Sequence, residues 1–279
     1  MAKNIKHALV VEGGAMRGIF AAGVLDEFLS QNHQPFDCYF GVSAGATNVA
    51  AFLCKQPMRN YKVITDYSCR PEFINLARFL KGGHLFDLDW LWEETIREIR
   101  LQTEIFEQNP QPFYIVTTAI DSGKAYYLEA TNDNMVEQLK ASCAIPIAYR
   151  DYPIINNTPM TDGGVADSIP VIKAYEMGAR EITVILSRPR GYKKKATKTS
   201  WLTKQIYKGY PALINAALNR ADVYNKSIDF IENPPSDCIV NIIAPPKHFK
   251  VGRTTKSFNI LNKGYQMGIT EARAHLQAP

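Results

Sequence analysis

Apolar residues in this chain fall into short continuous runs punctuated by turn formers, with helical spacing between them. His7 to Glu12 is one such run and ends at Gly13-Gly14. A strand buried on both faces and entering a tight loop has this form. From Arg17 to Leu29 the positions Ile19, Phe20, Val24, Leu25, Phe28 and Leu29 recur as on one side of a helix. A second strand is predicted from Asp37 to Val42, broken at Ser43, and a second helix from Ala44 to Leu53. Two successive strand–loop–helix units predict a parallel sheet covered by helices.

Further along, residues 60–108 read as mainly helical, with Trp90, Leu91, Ile96 and Ile99 on one face. Phe113 to Ile120 is β-branched and aromatic. It is followed by the turn Asp121-Ser122-Gly123-Lys124 and an extended piece, Ala125 to Leu128, which predicts a hairpin. Asn134 to Ser142 predicts a helix stopped before Pro146, and 149–161 is an irregular stretch rich in Pro, Asn and Tyr. Pro170 to Met177 predicts a helix ended by Gly178, and Ile182 to Leu186 a buried strand. A long helix from Trp201 to Ile231, a strand Cys238 to Ile243 and a closing helix Ile260 to Leu276 complete the pattern.

Composition narrows the class. The chain has 279 residues, 46% hydrophobic and 21% charged, with a formal charge of +5. This balance excludes a disordered, collagenous or low-complexity chain. It holds no internal repeat and no linker long enough to separate domains, so 1–279 reads as one domain. No apolar stretch approaches the roughly 18–20 residues that span a bilayer, and the run Ala8 to Val11 is too short for a secretory signal. Cys38, Cys54, Cys69, Cys143 and Cys238 are odd in number and lack CxxC spacing, which suits reduced thiols in the cytoplasm. The five histidines are scattered, so no metal site is read. The charge is local: Arg188, Arg190, Lys193, Lys194, Lys195, Lys198, Lys204, Lys208 and Arg220 fall between Ile182 and Ala221 without an acid.

Chemistry enters at the strand ends. Gly41-Val42-Ser43-Ala44-Gly45 fits G-x-S-x-G and lies between a predicted strand and a predicted helix. Such a turn lifts a serine oxygen to a helix N-terminus, where unpaired N–H groups favour the developing alkoxide. Glu12-Gly13-Gly14-Ala15-Met16-Arg17-Gly18 follows the first strand, and its amides at Gly14 and Ala15 are free to face an oxyanion. This loop is neither G-x-G-x-x-G nor a P-loop. Arg17 either buttresses the loop, attracts an anionic head group, or stands on a helix face. Serine needs a base. No histidine sits in a supported turn, and the acid in the most constrained setting is Asp162, before Gly163-Gly164. An aspartate with an ordinary pKa near 3.9 is a poor base at neutral pH, so this assignment requires burial.

Together, the Glu-Gly-Gly-Ala-Met-Arg-Gly, Gly-Val-Ser-Ala-Gly and Asp-Gly-Gly segments resemble the patatin-like phospholipases, particularly the bacterial branch. Ser142-Cys143-Ala144-Ile145-Pro146 adds to the likeness, which is most specific over 6–55 and 138–190 and fades beyond. The resemblance implies a three-layer α/β/α fold with a mainly parallel sheet. It also implies a Ser43–Asp162 dyad without histidine, an oxyanion loop at Gly13, Gly14 and Ala15, and acyl transfer from lipid esters with no metal or cofactor. Arg17, Gly41, Gly45 and Gly163 would support this site. Ala15 departs from the third glycine many members carry, which makes left-handed backbone costly there.

The basic stretch 188–208, with Tyr192, Trp201, Tyr207 and Tyr210 interleaved, suits a lid or contact with an anionic membrane surface, as on a peripheral protein. No motif accompanies the charge to suggest nucleic acid, and nothing fixes an oligomeric state. Two rival readings stand beside this one. An α/β-hydrolase triad would use His248 or His275, although its elbow would follow too few strands. A catalytically silent lipid-binding or regulatory protein would keep the same fold.

Overall fold

The computed structural model describes residues 6–196, 204–205 and 207–277; Lys198 and Trp201, of the basic stretch, lie outside them. The strands are β1 (His7–Val11), β2 (Cys38–Val42), β3 (Phe113–Ala119), β4 (Ala125–Glu129), β5 (Ile154–Ile155), β6 (Thr158–Asp162), β7 (Glu181–Ile185) and β8 (Ile239–Ile243). The helices are α1 (Gly18–Ser30), α2 (Ala44–Leu53), α3 (Arg59–Lys62), α4 (Leu76–Leu80), α5 (Leu88–Ile99), α6 (Thr103–Phe106), α7 (Met135–Cys143), α8 (Val171–Glu176), α9 (Pro211–Glu232) and α10 (Phe258–Gln277). The sheet runs β5-β6-β3-β2-β1-β7-β8, with β4 paired to β3. β1, β2, β3, β7 and β8 run parallel to one another, whereas β4 and β6 run antiparallel to β3.

The apolar runs are continuous because both faces of the central strands are covered. Along β1, Leu9 and Val11 face one layer while Ala8 and Val10 face the other. The first layer holds α1 and α2 through Phe20, Val24, Val49 and Phe52. The second holds α8 and α9 through Val171, Ala174, Tyr224 and Ile228. The fold is therefore the three-layer α/β/α arrangement that the resemblance implies. The C-terminal helix belongs to the first layer. A Cβ on Gly268 would lie 2.1 Å from the Phe20 carbonyl oxygen, and one on Gly23 2.2 Å from that of Tyr265, so α10 and α1 touch backbone to backbone.

Three regions differ from expectation. Residues 60–108 are short helices interrupted by loops, with a π-helical turn at Val63–Tyr67. On α5 the buried residues are Leu88, Trp92 and Thr95, while Ile96 is exposed, so the buried face is rotated from the expected one. Within the irregular 149–161 stretch lies a hairpin, β5–β6, turned by Asn156 and Asn157 at positive φ. The long helix begins at Pro211; Pro at the first position suits a helix start.

Candidate active site

The serine turn is built where the sheet runs out. Ser43 joins β2 directly to α2 with φ 52° and ψ −127°, a conformation non-glycine residues avoid at a cost of about 1–3 kcal/mol. The turn is tight enough that a Cβ on Gly45 would lie 2.4 Å from the Val11 carbonyl oxygen, and one on Gly41 2.5 Å from the Ala46 Cα. The strained residue is pinned by its neighbours. Its N–H donates to Ser142 Oγ at 2.8 Å, and that hydroxyl donates to the Val116 carbonyl at 2.6 Å. Thr47 N–H donates to the Ser43 carbonyl at 3.2 Å, opening α2.

Strand register explains why a distant carboxylate arrives here. Val42 pairs with Val116 on β3, where β2 ends. The next residue of β3, Thr117, pairs with Asp162 of β6. Since β4 occupies the opposite edge of β3 from Tyr114 to Thr118, β6 continues along the edge that β2 leaves. Ser43 and Asp162 are thus successive occupants of one strand edge. Gly163 is needed at this junction, because a Cβ there would lie 2.1 Å from the Val116 carbonyl oxygen. Asp162 N–H donates to the Ala144 carbonyl at 3.0 Å, its carboxylate accepts from Gly164 N–H at 2.7 Å, and its carbonyl accepts from Thr118 Oγ1 at 2.9 Å.

Burial pushes the Asp162 carboxyl above the ordinary aspartate value. The Ser43 hydroxyl opposes that shift most strongly, followed by Arg220, the Gly164 amide and Arg253. The two side chains line one cleft, near enough for the hydroxyl to bear on the carboxyl's charge. Cys143 lies beside both, and burial raises its thiol pKa, so it stays protonated at neutral pH.

Gly13, Gly14 and Ala15 line the same cleft as Ser43 and Asp162. Among the described residues the amides of Gly14 and Ala15 find no backbone acceptor. Ala15 adopts φ 50°, the left-handed backbone that its missing glycine would have taken more easily. Glu12 anchors the loop from below, its carboxylate accepting from Ser187 N–H at 2.6 Å. Arg17 is not on an exposed helix face; it is buried, on the turn that precedes α1. Burial brings its pKa down to about 10, against the pull of Glu12, and its Nε has no hydrogen-bond partner among the described residues.

Two cavities meet at Ser43. One is an apolar chamber of about 100 Å³ lined by Met16, Val63, Ile64, Phe73, Leu91 and Trp92. The other is the polar cleft of the loop, Asp162, Ser168, Arg220 and Arg253. None of the five histidines lines either cavity; His275 packs against Phe28 and His33, and His248 is exposed. His84, Asp89 and Asp151 bring three ligand atoms within 4.8 Å of one another. Asp89 there is already held by Lys140 and by Tyr149 Oη. Of the basic stretch, Lys193 pairs with Asp229, Arg190 donates to the Ile242 carbonyl, and Lys194 lies 4.0 Å from the Tyr224 ring centroid. Sequence reasoning did not single out the roles of Ser142, Arg220 or Arg253. Ser142 carried a signal in the Ser-Cys-Ala-Ile-Pro segment; the two arginines carried none.

Residues 9–175 match the model of a family described as patatin-like phospholipase. The chain belongs to the patatin-like phospholipase family. Residues 210–278 match a second model, a domain of unknown function (DUF6363). The patatin-like chain is 36% identical over 274 residues to the uncharacterized protein YjjU of Escherichia coli K12, covering 94% of this chain and 74% of that one. It is 26% identical over 181 residues to the probable lipid hydrolase 463L of Invertebrate iridescent virus 6, covering 58% of this chain and 61% of the viral protein. Among solved structures, VipD from Legionella pneumophila aligns with a TM-score of 0.52 at 11% identity, over 98% of this chain and 67% of that one, which is a likeness of fold. Family and viral relative together support lipid hydrolysis as the class of activity. No helix of the described residues is long and apolar enough to cross a membrane.

Proposed function

We propose that this patatin-like chain is a serine-dependent lipid acyl hydrolase that cleaves carboxylic esters through Ser43 and Asp162. One observation carries the reading: a serine and a buried carboxylate line one polar cleft where it opens onto an apolar chamber. An amphiphilic ester fits that division, its acyl chain in the chamber and its head in the cleft. Asp162 accepts the Ser43 proton as Oγ attacks the ester carbonyl. The amides of Gly13, Gly14 and Ala15 hold the oxyanion of the tetrahedral intermediate. Protonated Asp162 returns its proton to the departing alcohol, leaving an acyl-serine. Water, deprotonated by the same carboxylate, then releases the fatty acid. Each well-aimed oxyanion donor contributes about 10²–10³ in rate.

The described residues act as one unit in this reading, since α9 brings Arg220 to the cleft and α10 packs on α1. The basic stretch supplies peripheral contact with anionic membrane surfaces, worth about 1 kcal/mol per nearby Lys or Arg. The test is hydrolysis of phospholipid in mixed micelles by wild type, Ser43→Ala and Asp162→Asn, each checked by circular dichroism. Both variants are expected to fold and lose turnover. Hydrolysis that survives Ser43→Ala rejects the assignment.

A further inference from the structure

The polar cleft carries more positive charge than its own residues neutralise, and the excess comes from outside the segment matched to the patatin-like family. Arg220 on α9 and Arg253 in the loop before α10 line it together with Ser43, Asp162 and Ser168. Lys194 stands close enough to feel Arg17, Arg220 and Arg253, Arg188 and Arg253 bear on Arg17, and the carboxylates facing them are Glu12 and Asp162. Both carboxylates are engaged, Glu12 by the Ser187 amide and Asp162 by the Gly164 amide. Neither Arg220 nor Arg253 makes an ion pair within 4.0 Å among the described residues. Arg220 Nε is buried there without a hydrogen-bond partner, and the guanidinium packs over Gly164, whose Cβ would stand 3.3 Å from an Arg220 terminal nitrogen. Burial, with Arg220 the largest charge contribution, brings Lys194 down to about 7.

A buried guanidinium with an unmet N–H and surplus positive charge is a site short of an anion. The planar fork of arginine matches phosphate oxygens in pairs. We propose that Arg220 and Arg253 form a phosphate subsite that selects acyl esters bearing a phosphate beside the scissile bond. The geometry is consistent with a phosphoglyceride, whose phosphate hangs a few bonds from its ester carbonyl. The C-terminal segment thereby acquires a role: it supplies the residues that read the head group. This inference rests on Ser43 being the nucleophile.

The experiment compares a phosphatidic-acid ester with the diacylglycerol of identical chains in one neutral detergent, and follows the ratio of their kcat/KM values. The ratio is expected to fall about 10- to 100-fold in Arg253→Gln, the value of one or two charge-assisted hydrogen bonds, and to be partly restored in Arg253→Lys. Arg220→Gln should lower it further. Should that buried variant fail to fold, Arg253, which is exposed, carries the test. An unchanged ratio in Arg253→Gln overturns the proposal, as does an equal loss on both substrates. Inorganic phosphate that inhibits the wild type while the ratio ignores Arg253→Gln would assign the cleft to free phosphate and also overturn it. Binding is read separately in Ser43→Ala with a non-hydrolysable ether phospholipid. There Arg253→Gln must weaken micelle binding about tenfold, whereas hydrolysis persisting in Ser43→Ala defeats the nucleophile reading instead.

Discussion

Ser142 is the residue on which the strained serine turn most depends. It is completely buried, accepts from Ser43 N–H at 2.8 Å and donates to the Val116 carbonyl at 2.6 Å. Ser142→Ala removes both bonds and leaves a donor and an acceptor without partners in the interior. At about 1–3 kcal/mol for each orphaned group, the loss is about 2–6 kcal/mol. A chain of this size loses about 2–4 °C of Tm per kcal/mol, so the melt should drop by about 4–24 °C. The same bond fixes the backbone that aims Oγ. A displacement of the order of 1 Å at a reacting atom costs about 100-fold, so kcat should fall far more than KM rises. Urea unfolding and p-nitrophenyl ester kinetics at 25 °C separate the two effects, because the folded fraction stays high in both proteins. A stability loss below about 0.5 kcal/mol together with kcat within twofold of wild type would refute the reasoning.

Other consequences follow from the same geometry. The Asp162 carboxyl is raised by burial, so the native state holds its proton more tightly than the unfolded chain does. Stability attributable to Asp162 therefore falls as pH rises from the ordinary aspartate value through the raised one. In consequence Asp162→Asn should melt at or above the wild-type temperature at pH 7 while losing hydrolysis. The acid limb of wild-type kcat/KM should lie above pH 3.8, and a limb at or below that value would contradict the burial argument. Ala15→Gly relieves a left-handed alanine worth about 1–2 kcal/mol against about 0.5–1 kcal/mol of added chain entropy, so thermal melts should show no loss, and a small gain in stability. Ile64→Trp fills some of the apolar chamber and should raise KM for long-chain esters at least tenfold more than for acetyl esters. Equal effects on both would remove the acyl chain from that chamber.

How much the sequence discloses depends on whether the signal is local. The runs at 7–12 and 37–42 are readable because β1 and β2 are covered on both faces, which forces continuous apolar residues. β6 is not readable: Thr158, Pro159 and Thr161 mask its alternation, and Pro159 sits near the strand's start, where its carbonyl accepts from Ile120 N–H at 2.9 Å. The Asn156-Asn157 pair is a hairpin signal in plain view, since both residues take positive φ. On α5 the expected face holds Trp90, Leu91, Ile96 and Ile99, whereas burial selects Leu88, Trp92 and Thr95 and leaves Ile96 in solvent. Ser43 and Asp162 stand out individually through the glycines around them. Their meeting depends on β6 taking over the β3 edge where β2 stops, which no local spacing encodes. Arg220 and Arg253 reach the cleft through long-range packing of α9 and the loop before α10, so nothing around them in sequence marks them.

The central claim is that Ser43 becomes acylated, and the most direct measurement is to catch that species. Wild-type protein mixed with excess p-nitrophenyl ester and quenched in acid within the first turnover should release a burst of p-nitrophenol near one equivalent. Peptide mass spectrometry should then find the acyl mass on the peptide containing Ser43, with Asp162→Asn showing neither burst nor adduct. Steady turnover with no adduct, or an adduct on any residue other than Ser43, would contradict the account.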